Sequence, residues 1–248
     1  MVSEGHHLWL KRDERSSVPE LTKPILYSFR RCPYAMRARM ALVASEQAVE
    51  LREIVLRDKP DHMVQVSPKA TVPVLVLDDA QVLEESLDIM LWTLQHNDPG
   101  NWLDPEQGTL SDMVSLIEEM DGDFKHHLDH YKYSSRHAGP DEDPQAYAER
   151  HRAAAMSILM KLETRLANQP FLYGSRISLA DVAIAPFVRQ FANTDIDWFN
   201  SQPAPKLQGW LQTFLQAPLF TSVMSKYKPW APGDETPPFP PQLQAEPA

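Results

Sequence analysis

The sequence predicts two structural units of different class, an α/β domain with the element order βαβαββα and then an all-helical bundle. Three observations carry this. Before the turn cluster Asn97, Asp98, Pro99 and Gly100, short β-rich runs alternate with helical apolar periodicity. After it, every periodic stretch is helical. The chain of 248 residues, 43% of them apolar, is long enough for two modest cores.

Pro24 to Phe29 reads as a strand, Pro33 to Glu46 as a helix and Leu51 to Leu56 as a second strand, which together make a βαβ unit. A short helix around Asp61 to Val66 precedes two strands, Pro73 to Leu77 and Gln81 to Leu83, joined through Asp78 and Asp79 as a hairpin. A helix from Glu85 to His96 closes the unit. The bundle opens with one apolar stripe, Leu110, Met113, Val114, Ile117, Met120, Phe124, Leu128 and Tyr131, which predicts a long amphipathic helix. A loop from Ser134 to Pro144 leads to a second long helix edged by Ile158, Leu159, Leu162 and Leu166. Ser178 and Asp181 have capping-box spacing, with Ile177 and Val182 placed as a hydrophobic staple, so Asp181 is read as a structural cap. The expected boundaries are an extension over 1–22, the α/β domain over 23–97, a linker over 98–104 and the helical domain over 105–228. A proline-rich tail follows over 229–248, extended and peripheral like the first segment.

The net charge of −10, from 24 basic and 34 acidic residues, argues against nucleic acid and anionic lipid surfaces as partners. The first residues carry charges throughout and lack a signal-peptide core, and no run of 18 apolar residues occurs. A single cysteine cannot form an internal disulfide, so a reducing cytoplasmic setting is expected.

That cysteine, Cys32, follows a predicted strand and precedes a proline that opens a helix. Pro33 suits the first helical position, which puts Cys32 at the N-cap, before the positive end of the helix dipole. With Arg30, Arg31 and Arg37 nearby, the thiol is expected to ionise below its ordinary value and to act as a nucleophile. The alternative is a small buried hydrophobe. Ala35 stands where a dithiol redox motif has its second cysteine, so a mixed disulfide at Cys32 requires an external thiol for release.

The segments RRCPYAMRARMAL, LRDKP, ATVPVLV and LEESLDIM resemble, in order and spacing, the thioredoxin-like domain of the cytosolic glutathione transferases. The likeness is greatest to the omega class and its bacterial relatives, in which cysteine replaces the commoner tyrosine or serine. FLYGSRISLADVAIAPFV is similar to the family's helical-domain capping region, so the resemblance spans residues 23 to 220. It implies glutathione as cosubstrate, bound by Lys59, Val72, Pro73, Glu85 and Ser86, with Glu84 as the alternative register. It implies a cis bond before Pro73, where a trans proline opening an edge strand is the alternative, and for Lys59 the alternative is an exposed loop lysine. It also places Phe124, His127, Tyr131 and Lys132 beside a second-substrate cleft, although core packing accounts equally for Phe124 and Tyr131. Trp210, Tyr227 and Trp230 lie where such folds close that cleft, or serve as packing anchors. A homodimer is implied as well.

His126 and His130 have the i, i+4 spacing of a metal pair, but two ligands on one helix leave a zinc site incomplete and no metal is expected. The expected function is glutathione-dependent thiol transfer through Cys32, with deglutathionylation and dehydroascorbate reduction as candidate reactions. Glutathionyl-hydroquinone reduction ranks behind, since CPYA stands here in place of CPWA. Conjugation of glutathione to an electrophile is the second enzymatic reading, and a non-catalytic interaction module is the reading from another class.

Overall fold

The computed structural model describes residues 23–78 and 81–240. The expected extension over 1–22, the tip of the Asp78–Asp79 hairpin and the last eight residues of the tail lie outside the described residues.

The first unit is built on β1 (Ile25–Ser28), β2 (Val49–Glu53), β3 (Val74–Asp78) and β4 (Gln81–Leu83), with α1 (Pro33–Ala44), α2 (Asp61–Val66) and α3 (Ser86–His96) between and after them. The strand order is β4-β3-β1-β2, continued by a fifth strand from the far end of the chain. β1 pairs parallel with β2, as Leu26 opposite Leu51, and antiparallel with β3, as Leu26 opposite Leu75. Alternation along the strands sorts the two faces. Leu26, Leu51 and Leu75 point to the face covered by α1 and α3, among Met36, Met40, Ile89 and Met90. Tyr27, Val74 and Val76 point to the other face, with Met63 of α2 and Ile54.

The second unit is helical. The stripe read from Leu110 to Tyr131 is buried at Met113, Ile117, Met120, Phe124, Leu128 and Tyr131. Its helix is not uniform, because α4 (Leu110–Glu119) passes through a π turn over Met120–Phe124 before continuing as α5 (Lys125–Lys132). Part of the expected loop after it is the short helix α6 (Ser134–His137), and α7 (Pro144–Arg165) is the second long helix, capped by Asp143. At the centre lies α8 (Leu179–Ala192), buried nearly all round, with the expected capping box between Ser178 and Asp181. Helices α9 (Ile196–Asn200), α10 (Pro205–Gln216) and α11 (Pro218–Ser222) complete the unit. The apolar core runs without a break from Leu26 and Met40 to Phe187 and Trp210, so the two units share one interior.

The reading of the proline-rich tail as peripheral is corrected as far as residue 240. β5 (Pro238–Phe239) pairs antiparallel with β2, Val49 opposite Phe239, and Phe239 is 1% exposed. The Trp230 amide donates to the Glu53 carbonyl at 2.8 Å, and the Arg52 guanidinium lies 4.1 Å from the Trp230 ring centroid. The reason is the open edge of β2, whose unpaired backbone groups and neighbouring apolar surface gain partners from the segment.

Candidate active site

Cys32 sits where β1 hands over to α1. Its amide donates to the Phe29 carbonyl at 3.0 Å, its carbonyl accepts the first intrahelical bond from Met36 at 2.9 Å, and Pro33 fills the first helical position. The backbone of Cys32 is extended (φ −73°, ψ 123°), as an N-cap requires. Its Sγ lies 3.6 Å from the Val72 carbonyl, to which the thiol can donate, and the bond between Val72 and Pro73 is cis.

The electrostatics differ from the sequence expectation. Burial pushes the Cys32 thiol up, outweighing the Ala35 and Tyr34 amides and the positive charges of Arg39 and Lys125 that pull it down. Arg30, Arg31 and Arg37 are not the charges that act on it most. Arg37, 2% exposed, is committed elsewhere: Nε donates to Ser86 Oγ at 2.9 Å, and the two terminal nitrogens form a bidentate pair with Asp121 at 2.9 and 2.6 Å. It thus ties α1 to α3 and to the π turn. Arg39 is buried and, among the described residues, forms no ion pair, donating instead to Ser28 Oγ at 2.5 Å and to the Arg30 and Val223 carbonyls at 2.9 and 3.2 Å. Burial lowers it to about 10, so it remains a cation at neutral pH behind the thiol. Tyr34 is raised to about 12, by burial first and the Asp121 charge second, which keeps its hydroxyl protonated.

One cleft of about 680 Å³ is lined by Cys32, Lys59, Val72, Pro73, Glu85 and Ser86, residues that the sequence places in four separate segments. Tyr34, Lys69, Glu84 and Asp121 line it too. Ser86 is 2% exposed and begins α3, whereas Glu85 is its exposed N-cap residue and pairs with Lys69. Glu84 accepts from Ser67 Oγ at 2.5 Å. Ammonium groups and carboxylates therefore stand on the rim around a sulfur, an arrangement complementary to a small zwitterion carrying its own sulfur.

The second-substrate assignment is corrected. Phe124 and Tyr131 are core residues, packed with ring centroids 5.8 and 5.5 Å from that of Phe191. His127 faces α7, its Nδ1 2.9 Å from Nδ1 of His151, and Lys132 lies over the Tyr133 ring. The helical side of the Cys32 opening is instead lined by Lys125, Asp129, Tyr133, His137 and Gln190. Lys125, Asp129 and Tyr133 recur every four residues, on a face adjacent to the buried stripe; that spacing was the available signal, but nothing in one sequence tells which polar face meets the other domain. Asp121 left no local signal, since its partner Arg37 lies 84 residues away. Trp210 is a packing anchor, donating from Nε1 to Asp181 at 2.8 Å, and Trp230 lies against the sheet edge, while Tyr227 lines a separate recess with Arg30, Arg31 and Lys226.

Comparison with known proteins agrees with this architecture. Residues 26–102 match the glutathione S-transferase N-terminal domain and residues 145–213 the glutathione S-transferase C-terminal domain. The chain is 26% identical over 156 residues to the probable cytosolic glutathione S-transferase DHAR1 of Oryza sativa subsp. japonica; the match covers 62% of this chain and only 64% of the rice protein. It is 26% identical over 206 residues to glutathione S-transferase omega-1 of Rattus norvegicus, covering 79% of this chain and 78% of that one. Among solved structures, a glutathione transferase family member from Pseudomonas fluorescens with two glutathione bound superposes with a TM-score of 0.70 at 18% identity, covering 83% of this chain and 93% of that one. That likeness is one of fold. With a thioredoxin-like sheet domain carrying the cysteine and a helical domain after it, each matching its counterpart in order, this chain belongs to the glutathione S-transferase family.

Proposed function

We propose that the protein is a glutathione-dependent thiol transferase or reductase in which Cys32 is the reacting group. The observation that carries this reading is the position of the Cys32 sulfur at a helix N-terminus, inside a cleft that also holds the Lys59 ammonium and the Glu85–Ser86 helix start. Glutathione is a zwitterion with carboxylates at both ends. Amides at the start of α3 and the Ser86 hydroxyl suit its γ-glutamyl carboxylate, a carboxylate of Glu85 or Glu84 suits its ammonium, and Lys59 suits its glycine carboxylate. Val72, with its backbone beside Sγ, suits the cysteinyl unit.

In the proposed cycle the Cys32 thiolate attacks the glutathionyl sulfur of a mixed disulfide. The Cys32–glutathione disulfide forms as the old S–S bond breaks, and the acceptor leaves as its thiolate. A second glutathione thiolate then attacks that disulfide, releasing oxidised glutathione and regenerating Cys32. No second cysteine exists in the chain, so the external thiol is required. Dehydroascorbate is a further candidate acceptor, and a cytoplasmic homodimer is the expected working form.

One observation favours conjugation as the second reading. Burial keeps Cys32 largely a thiol, and a thiol in that place can donate to a bound glutathione thiolate much as a hydroxyl would. Cys32→Ser separates the two. Thiol transfer to a glutathionylated peptide should fall to background, with conjugation to a chloronitrobenzene unchanged or higher; thiol transfer that survives in the variant overturns the first reading. A chain that neither sticks to immobilised glutathione nor turns over either substrate would be an interaction module.

A further inference from the structure

Five of the nine histidines of the chain gather where α5, α6 and α7 meet, away from the residues lining the cleft except for His137. α5 contributes His126, His127 and His130, α6 contributes His137 and α7 contributes His151. His130 is the hub: its ring centroid lies 4.0 Å from that of His126, 4.2 Å from His137 and 4.8 Å from His151. Its Nδ1 is 2.7 Å from the His126 carbonyl, so it donates there.

His126, His127 and His151 are arranged differently. Each offers a ring nitrogen, and the three nitrogens lie within 4.8 Å of one another. Nδ1 of His127 and Nδ1 of His151 face each other at 2.9 Å. Two neutral imidazoles that meet this way share one proton, leaving one lone pair to accept it. A metal ion satisfies both lone pairs at once. Tetrahedral zinc, about 2.0–2.1 Å from each nitrogen, holds its ligand nitrogens about 3.3 Å apart, so these two rings need part by only about 0.4 Å. Three imidazoles with no carboxylate in the set suit zinc, cobalt, nickel or copper, and do not suit calcium or magnesium, which require oxygen. The Asp123 carboxylate bears on His127 from the preceding turn of the same chain segment, and the neighbouring Arg150 is occupied by Glu142. Access is open, since His126 is exposed and the other two are half-buried.

We propose that His126, His127 and His151 form a binding site for a zinc-class divalent cation, three nitrogen ligands with water in the fourth position. No single helix could supply it, because His126 and His127 are neighbours on α5 and the third ligand arrives from α7. Bound metal would link the two long helices of the second unit, and its protein ligands differ from every residue assigned to glutathione.

The test uses the full chain with Cys32 alkylated by iodoacetamide, so that the thiol cannot contribute a ligand. Titration calorimetry with zinc chloride should show one ion bound per chain. Cobalt chloride should produce visible absorption bands of a four- or five-coordinate ion, and zinc should raise the melting temperature. His126→Gln, at an exposed position where folding is spared, should weaken zinc at least ~10- to 100-fold, as should His151→Gln. His96→Gln and the double change His6→Gln, His7→Gln should leave the affinity unchanged. The proposal is overturned if the unaltered histidines give no zinc-dependent heat or melting shift, if affinity survives His126→Gln and His151→Gln, or if it is lost with His6 and His7.

Discussion

At Cys32 two effects of one location oppose each other. The helix start that presents two amides to the sulfur also sinks it toward the Val72 carbonyl, 3.6 Å away, and desolvation of a thiolate there exceeds what the amides and the flanking cations return. The sign follows directly: with the ionised form disfavoured, the thiolate fraction at neutral pH is smaller than for a free cysteine. Alkylation of the ligand-free protein by iodoacetamide should therefore reach half its maximal rate above the free-thiol value of about 8.5. Lys125→Gln, which removes a cation that pulls the thiol down, should move that midpoint higher still. A midpoint below 8.5 in the unaltered protein, or a downward move in the variant, contradicts the balance described here. Cys32 as the N-cap was legible in the strand, cysteine, proline order. Its ionisation was not, because burial is a property of what packs above it.

Helix termini and turns show how far local pattern reaches. Ser178, read with Asp181 as a cap, donates to the Asp181 carboxylate from its hydroxyl at 2.6 Å and from its amide at 2.9 Å, and Asp181 further accepts from the Leu172 amide at 2.9 Å and from Trp210. A carboxylate with no exposure thus gathers four donors from three segments. Asp181→Ala should strand these donors and lower unfolding free energy by about 3–5 kcal/mol, measured by urea denaturation, where an exposed cap would cost only about 1 kcal/mol. The π turn over Met120–Phe124 is the opposite case. It keeps the apolar stripe buried, so periodicity reads straight through it, yet it carries Asp121 to Arg37. Nothing in MDGDF announces it, since the partner that fixes it comes from the other unit.

Across the whole molecule, the shared core and the sheet edge are what bind distant parts of the chain. Phe239 reaches the β2 edge 190 residues away in sequence and buries its ring there. Phe239→Ala should destabilise the protein by about 3 kcal/mol, at the low end for a buried phenylalanine because the site lies at an edge. It should also quicken amide exchange at Val49 and Glu50, whose pairing it anchors; unchanged stability and exchange would mean the segment merely rests on the sheet. The composition of the segment, rich in proline and poor in periodicity, correctly indicated extended chain and said nothing of where that chain lies.

By itself the sequence determined the order of strands and helices from β1 to α3, the buried stripe of the bundle, the Ser178 cap and the placement of Cys32 before Pro33, since each depends on residues close together in the chain. It also brought out Lys59, Val72, Pro73, Glu85 and Ser86 through their resemblance to a known pattern. Only the tertiary structure decided which polar face of α5 meets the cleft, which arginine is committed to Asp121, how the thiol ionises, where the tail runs and that His151 joins His126 and His127. Those outcomes depend on contacts between segments tens to hundreds of residues apart, and local periodicity holds no record of such contacts.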